Sequence, residues 1–139
     1  MTISEIQDKI VADFSFFDEW MDKYEYIIEI GKKLAPLDEK YHIEQNLIDG
    51  CQSKVWLNAE LVDGKVIYTG DSDAIITKGL VSLLISVFSN QSPEDILSAN
   101  LYFIDKIGLH QHLSPTRSNG LLSMIKQIKL YALAYSIKK

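Results

Sequence analysis

The chain has little sulfur and few residues that break regular structure. Among its 139 residues there is one cysteine, Cys51, with three prolines and one arginine. A single cysteine excludes an intramolecular disulfide, an all-cysteine zinc site and a cluster held wholly by this chain's thiolates. Any chemistry at Cys51 must therefore handle one sulfur or one covalent adduct at a time.

Long apolar runs and an excess of positive charge are also missing. The most apolar stretch, 79–88, is too short to span a bilayer, and no basic-plus-apolar leader opens the sequence. We therefore expect a cytoplasmic protein that does not bind membranes and whose thiol stays reduced. The formal net charge of −5 argues against a nucleic-acid partner, because phosphate binding needs a basic face.

The charge is unevenly distributed. Residues 1–50 contain 12 acidic and 5 basic side chains, a net charge of −7. This predicts an acidic amino-terminal face, which is either an ordinary solvated helix surface or one that attracts a basic partner. The length and the 47% hydrophobic content predict a single domain, residues 1–139, with one core.

The first third of the chain has helical patterns. Thr2 and Glu5 have the form of a capping box, and apolar residues at helical spacing predict a helix over about 3–16. A second stripe predicts another helix over 20–31. Residues 37–50 show no sustained period and are expected to form a surface connection that leads to Cys51.

A β-hairpin follows the cysteine. Residues 55–61 alternate between apolar and more polar side chains, Asp63-Gly64 is a two-residue turn signal, and 66–70 form the return strand. This turn places Val55 opposite Ser72. The loop that carries Cys51 and precedes this hairpin, here called the cysteine loop, should therefore lie near residues 70–73.

The apolar run 75–88 has the period and length of a helix. We expect Asp71, Ser72 or Asp73 to cap it, with its free N–H groups directed toward the cysteine loop. That field lowers the pKa of a nearby thiol, whereas burial raises it.

Two further helix starts follow. Ser92-Pro93 predicts a short helix that reaches about Ala99, and Ser114-Pro115 predicts a last helix with a core-facing stripe. His110 and His112, which lie between them, have no second ligand pair at a recognisable spacing. Ordinary surface or hydrogen-bonded histidines are therefore favoured over a metal site.

Two residues near the start of the last helix suggest a function. Arg117 is the only arginine beside 13 lysines. It is either an anchor for a partner's carboxylate or for the Cys51 thiolate, or a plain surface charge. Gly120 is costly in a helix, which indicates a close backbone approach.

The surroundings of Cys51 favour an accessible or gated thiol over a buried one. Asp49, Gln52, Ser53 and Lys54 are too polar for a core strand, although a buried cysteine acting as a small hydrophobe is the common alternative. Apolar residues lie further out on both sides, so the thiol is expected to rest partly in an apolar pocket.

Several segments together resemble the SufE family of sulfur-acceptor proteins, which includes SufE and its paralogue CsdE. The matching segments are 46–56 (Asn-Leu-Ile-Asp-Gly-Cys-Gln-Ser-Lys-Val-Trp), 70–74 (Gly-Asp-Ser-Asp-Ala), 78–80 (Lys-Gly-Leu) and 117–121 (Arg-Ser-Asn-Gly-Leu). The resemblance implies an α+β fold, with helices packed on one face of a small antiparallel sheet. It is the fold shared with U-type iron–sulfur scaffold proteins.

The resemblance also implies a function. Cys51 would accept sulfane sulfur as a persulfide from a cysteine desulfurase of the SufS or CsdA type, and would pass it toward an iron–sulfur scaffold complex. Asp73, Arg117 and Gln52 would support the site or the partner surface. Pyridoxal phosphate is expected on the desulfurase only, with no cofactor or metal on this chain. The sequence leaves open whether the protein forms a homodimer and whether it activates the desulfurase.

Two other classes of function stay open. An iron–sulfur scaffold would need His and Asp ligands beside Cys51, or a second subunit. A cysteine hydrolase would need a histidine base within reach of Cys51, and His42 is the only histidine nearby in the sequence.

Overall fold

The computed structural model describes residues 1–137, which form an α+β fold of seven helices and two strands. The elements are α1 (Ile3–Phe14), α2 (Trp20–Lys32), β1 (Val55–Val62), β2 (Lys65–Ser72), α3 (Ile75–Phe88), α4 (Pro93–Ser98), α5 (Phe103–Lys106), α6 (Leu109–His112) and α7 (Pro115–Ile137). None of the helices in this range is long and apolar enough to cross a membrane. The predicted fold class is confirmed.

The β-hairpin has the predicted register. Val62 pairs with Lys65 at the turn, and Val55 pairs with Ser72 at the open end. Asp63 and Gly64 have φ values of 52° and 78°, the left-handed geometry that a type I′ turn requires at both central positions. The turn chemistry therefore fixes which residues of the return strand lie beside the cysteine loop.

Helix α3 is the central element of the core. It packs against β2 on one side and α2 on the other, and nine of its 14 residues are buried. The α2–α3 crossing is close because both helices have a glycine there. A Cβ on Gly31 would lie 2.7 Å from the Gly79 nitrogen, and a Cβ on Gly79 would collide with the Ile27 carbonyl.

Tyrosine hydroxyl groups form hydrogen bonds between helix α7 and the hairpin. The Tyr131 and Tyr135 hydroxyls of α7 donate to the carbonyls of Leu57 and Ala59, at 3.3 and 2.9 Å. In the reverse direction, the Tyr68 hydroxyl donates to the Ile128 carbonyl at 2.6 Å. These bonds and the buried stripe of α7 hold this helix against the same sheet that carries the cysteine loop. The buried residues of α7 are Gly120, Leu121, Met124, Ile128 and Ala132.

Buried Gln7 ties α1 to the segment between α4 and α5. Its Nε2 donates to the Asn100 carbonyl at 3.1 Å, and its Oε1 accepts from the backbone N–H groups of Tyr102 and Phe103. The side chain thus satisfies backbone groups that no helix or strand satisfies. Sequence patterns gave no signal for this role.

The predicted element boundaries need small corrections. Helix α1 begins with the predicted Thr2–Glu5 capping box but ends at Phe14, two residues earlier than expected. The connection over 37–50 contains two 3₁₀ turns, Glu39–Tyr41 and Glu44–Asn46. Helices α5 and α6 were not predicted, because four residues are too few to show a period.

Candidate functional site

A backbone hydrogen bond joins the two ends of the cysteine loop, and the loop packs closely against α7. The Ile48 N–H donates to the Val55 carbonyl at 2.9 Å, which closes the loop around Cys51. Gly50 has φ of +89°, and a Cβ there would lie 2.6 Å from the Ser123 Oγ of α7. The backbone conformation therefore favours glycine at position 50, and the missing Cβ leaves room for the Ser123 side chain.

A cavity of about 90 Å³ lies beside the thiol. The cysteine loop, the amino-terminal part of α3 and the amino-terminal part of α7 each contribute to its wall. The lining residues are Cys51, Gln52, Ser53, Thr77, Leu80, Thr116, Arg117, Gly120 and Met124. Most of these side chains are polar, so the cavity is suited to a small polar or anionic group.

The thiol of Cys51 is half-buried and faces the backbone of α7. Its Sγ donates to the Gly120 carbonyl oxygen at 3.6 Å, and a Cβ on Gly120 would lie 3.5 Å from the same sulfur. The close backbone approach predicted for Gly120 is confirmed. A carbonyl oxygen accepts a hydrogen bond from a thiol but cannot donate one to a thiolate, so this contact favours the neutral thiol.

Burial raises the pKa of the Cys51 thiol. The expected lowering by the amino terminus of α3 therefore does not prevail. Thr77 and Leu80 do bring the beginning of α3 to the cavity wall, as expected from the hairpin register. Removal of solvent from the sulfur raises the pKa of the thiol, because the charged form is the one that loses hydration.

The predicted cap of α3 is wrong. The N-cap residue is Ala74, and it makes no side-chain hydrogen bond to the helix. The side chains of Ser72 and Asp73 instead accept hydrogen bonds from backbone N–H groups outside the helix. The Ser72 Oγ accepts from the Ala74 N–H at 3.3 Å, and Asp73 Oδ1 accepts from the Lys54 N–H at 3.0 Å. The amino terminus of α3 is thus left without a side-chain cap.

Of the three predicted supporting residues, two line the cavity and one does not. Gln52 and Arg117 are part of its wall, and the exposed Arg117 side chain makes no hydrogen bond or ion pair within residues 1–137. Asp73 lies outside the wall and is bonded to Lys54 through both its carboxylate and its backbone N–H. Asp73 therefore holds the beginning of β1 against the end of β2.

His42 has a partner other than Cys51. Its Nε2 lies 2.8 Å from Asp71 Oδ2, and its ring meets the Trp56 ring edge-on at 4.8 Å. Lys78 Nζ lies 3.4 Å from the other carboxylate oxygen. No histidine is among the residues that line the Cys51 cavity in the described part of the chain. A histidine base for a hydrolase is therefore not part of this site.

These contacts lower the pKa of Asp71. Burial would raise it, but the hydrogen bonds from His42 and from the Ser72 N–H, with the Lys78 cation, hold it below its usual value. Sequence reasoning missed the cluster because it joins the unpatterned 37–50 connection to β2 and α3. Only the folded register brings these residues together.

The histidines near α6 have structural contacts. The His112 ring stacks on Trp20 at 4.6 Å between centroids, and His110 Nε2 lies 3.3 Å from Asp105 Oδ1. Within residues 1–137, no three His, Cys, Asp or Glu side chains are grouped to hold a metal ion. The preference for ordinary histidines at positions 110 and 112 agrees with these contacts.

The fold and the cavity define a class of small α+β proteins with one half-buried thiol held between a hairpin and two helices. The family model described as "SufE: Fe-S metabolism associated domain" matches residues 8–132. An uncharacterized SufE-like protein of Rhizobium meliloti (strain 1021) is 42% identical over 127 residues, which cover 88% of this chain and 91% of the relative. The chain belongs to the SufE family, which is associated with iron–sulfur metabolism.

The fold is also similar to a solved structure. The solution structure of a hypothetical protein from Thermus thermophilus matches with a TM-score of 0.76, covering 93% of this chain and 94% of the other. The two sequences are 20% identical, so this likeness concerns the fold alone.

Proposed function

We propose that this protein carries one sulfane sulfur as a persulfide on Cys51, taking it from a pyridoxal-phosphate cysteine desulfurase and delivering it to iron–sulfur cluster assembly. The observation that carries the proposal is the half-buried Cys51 thiol beside a cavity of about 90 Å³, in a chain of the SufE family. Within residues 1–137 it is the only thiol, so each molecule accepts one sulfur.

The transfer is a thiol–disulfide type of displacement. The Cys51 thiolate attacks the terminal sulfur of the desulfurase's persulfide, and a new S–S bond forms on Cys51 as the desulfurase's S–S bond breaks. The bonding pair leaves with the desulfurase cysteine, which departs as a thiolate. No external oxidant or reductant is consumed, because the sulfane sulfur keeps its oxidation state.

The cavity provides room for the transferred atom. Its volume of about 90 Å³ exceeds the roughly 10–15 Å³ of accessible space that a single water molecule needs. A terminal sulfur drawn into this space is shielded from small thiols in solution, which would otherwise reduce it. Arg117 in the wall supplies a permanent positive charge for the anionic persulfide.

The resting thiol must move before it reacts. In the free protein its proton is directed at the Gly120 carbonyl and its pKa is raised, so little thiolate is present near neutral pH. Docking of the desulfurase near Gln52, Asp73 and Arg117 would draw the loop outward and expose the sulfur. Ile75, which is 67% exposed at the beginning of α3, offers an apolar contact next to these residues.

The decisive experiment is intact-mass measurement after incubation with a cysteine desulfurase, pyridoxal phosphate and cysteine. The protein should gain the mass of one sulfur atom, and a reductant should remove it. Cys51→Ser is the matched control because it replaces only the sulfur. If the serine variant gains the same mass, or the native protein gains none, the proposal is wrong.

A further inference from the structure

We propose that Thr77 is a binding residue of this site, whose hydroxyl donates a hydrogen bond to the sulfur in the Cys51 cavity once that sulfur is anionic, as a thiolate or a persulfide. The inference rests on the proposed sulfur-carrier function. It adds a residue that the sequence comparison did not single out, in the third position of α3.

Thr77 is buried yet its hydroxyl is unpartnered. The residue is 7% exposed and lines the cavity beside Cys51. Its side chain makes no hydrogen bond within residues 1–137. In that same range every side-chain nitrogen or oxygen sealed from solvent has a partner. The Thr77 oxygen therefore keeps some accessible surface, and the cavity is the accessible space that this buried residue lines.

Two other helix hydroxyls show the bond that Thr77 does not make. Ser86, also in α3, donates to the Leu83 carbonyl at 2.7 Å, and Ser98 in α4 donates to the Asp95 carbonyl at 3.4 Å. Such bonds to the preceding turn are the usual solution for a hydroxyl within a helix. Because Thr77 makes no bond of this kind, its donor is free for an atom inside the cavity.

The position of Thr77 suits an anionic sulfur. The Gly120 carbonyl on the α7 side accepts only, so an anion in the cavity needs donors from another part of the wall. The beginning of α3 offers them, because its N-cap Ala74 provides no side-chain cap and the helix dipole is positive there. Together with Arg117, the Thr77 hydroxyl would surround a persulfide anion from two helices.

The test compares Thr77→Val, which removes the hydroxyl and keeps the shape, with Thr77→Ser, which keeps the hydroxyl. Each protein is loaded by desulfurase and cysteine, and the loss of sulfur mass to added glutathione is followed over time. A second measurement is the pH profile of Cys51 alkylation by iodoacetamide in the unloaded protein. We expect the valine variant to lose sulfur about fivefold faster. We also expect its alkylation profile to move to higher pH, with the serine variant close to the native protein.

The outcomes separate the two proposals. If the native protein gains no sulfur, the carrier function is wrong, while the alkylation profile still tests the hydroxyl. If Thr77→Val matches the native protein in the alkylation profile, the Thr77 inference is wrong. Equal changes in the valine and serine variants would indicate altered packing and would also overturn it. Should Thr77→Val unfold, Thr77→Ala removes the same hydroxyl with less bulk and is read in the same way.

Discussion

At the scale of single residues, Cys51 has a potentially reactive thiol whose environment disfavours the thiolate form. The thiol donates a hydrogen bond to the Gly120 carbonyl and burial raises the pKa of the thiol, so the free protein keeps the sulfur in its less nucleophilic form. For the proposed sulfur carrier, this state would keep side reactions of the thiol slow until a partner docks.

The pH dependence of Cys51 alkylation follows from this environment. We expect iodoacetamide to react slowly at neutral pH, with a midpoint above that of free cysteine, because burial raises the pKa of the thiol. Addition of the desulfurase should accelerate the reaction by drawing the loop outward. Rapid alkylation of the free protein, unchanged by the partner, would show a permanently exposed nucleophile.

The same shift has a consequence for stability. A thiol whose pKa is raised by folding stabilises the native state below the pKa of the unfolded chain, and this contribution is lost as the pH rises through the folded value. Urea unfolding at neutral and alkaline pH should show this loss for the native protein. The loss should be smaller in the Cys51→Ser variant, which keeps only the alkaline contribution of the tyrosines, such as Tyr131, whose pKa values burial also raises.

Arg117 should affect transfer more than folding. Its side chain is exposed and has no ion pair within residues 1–137, so Arg117→Ala should change the melting temperature little. Sulfur transfer from the desulfurase should fall about tenfold, the effect of losing one charge-assisted contact.

Lys126→Ala is the matched control for Arg117. It removes the same charge from an exposed position of the same helix but lies outside the wall of the Cys51 cavity. An equal loss of transfer in both variants would mean that net charge, rather than the guanidinium at position 117, is responsible.

At the scale of elements, the crossing of α2 and α3 depends on the absence of side chains. A Cβ at Gly79 would collide with the backbone carbonyl of Ile27, which cannot turn aside as a flexible side chain can. We expect Gly79→Ala to lower the free energy of unfolding by about 3 kcal/mol, measured by chemical denaturation. Ser86→Ala, at an exposed position of the same helix, should change it by less than about 0.5 kcal/mol.

Asp71 joins three elements, and its contribution should depend on pH. Its carboxylate meets His42, Lys78 and the Ser72 N–H, and its pKa is held below the usual value. A lowered carboxyl pKa stabilises the fold above the unfolded value, and this stability is lost as the pH falls through the folded value. Asp71→Asn should therefore cost about 1 kcal/mol at neutral pH, and the difference should shrink below about pH 4.

Asp105→Asn tests whether this effect is specific. Asp105 also contacts a histidine, His110, but its side chain is 73% exposed. Solvent screens such a pair, so the substitution should change stability little at any pH. Equal losses for the two variants would show that the burial of Asp71 has no special role.

Elements with their own local pattern could be predicted from the sequence. The Asp63-Gly64 turn has one favoured geometry and thereby fixes the register of eight strand pairs. The Ser92 cap and the following Pro93 likewise determine where α4 begins. The cap of α3 could not be predicted, because Asp73 satisfies the Lys54 N–H across the sheet end in preference to its own helix.

At the scale of the whole molecule, the site depends on contacts that no local pattern contains. The sequence motif indicates Cys51 as the reactive residue, and Gly120 indicates a close approach without naming its partner. The packing of the hairpin, α3 and α7 determines three features of the site. These are the burial of the Cys51 thiol, the unpartnered Thr77 hydroxyl and the His42–Asp71 pair. Side-chain burial is a property of the assembled core, and the pKa of Cys51 follows burial.

The origin of the cavity wall also affects when the site can form during protein synthesis. Cys51 and its loop leave the ribosome early, but one wall is made by residues 116–124 of α7, the helix latest in the sequence. Until that helix docks, the nascent chain has a cysteine in an open loop with no enclosure around it. A desulfurase that recognises the finished wall would therefore ignore incomplete chains, so that no sulfur is loaded onto a protein unable to protect it.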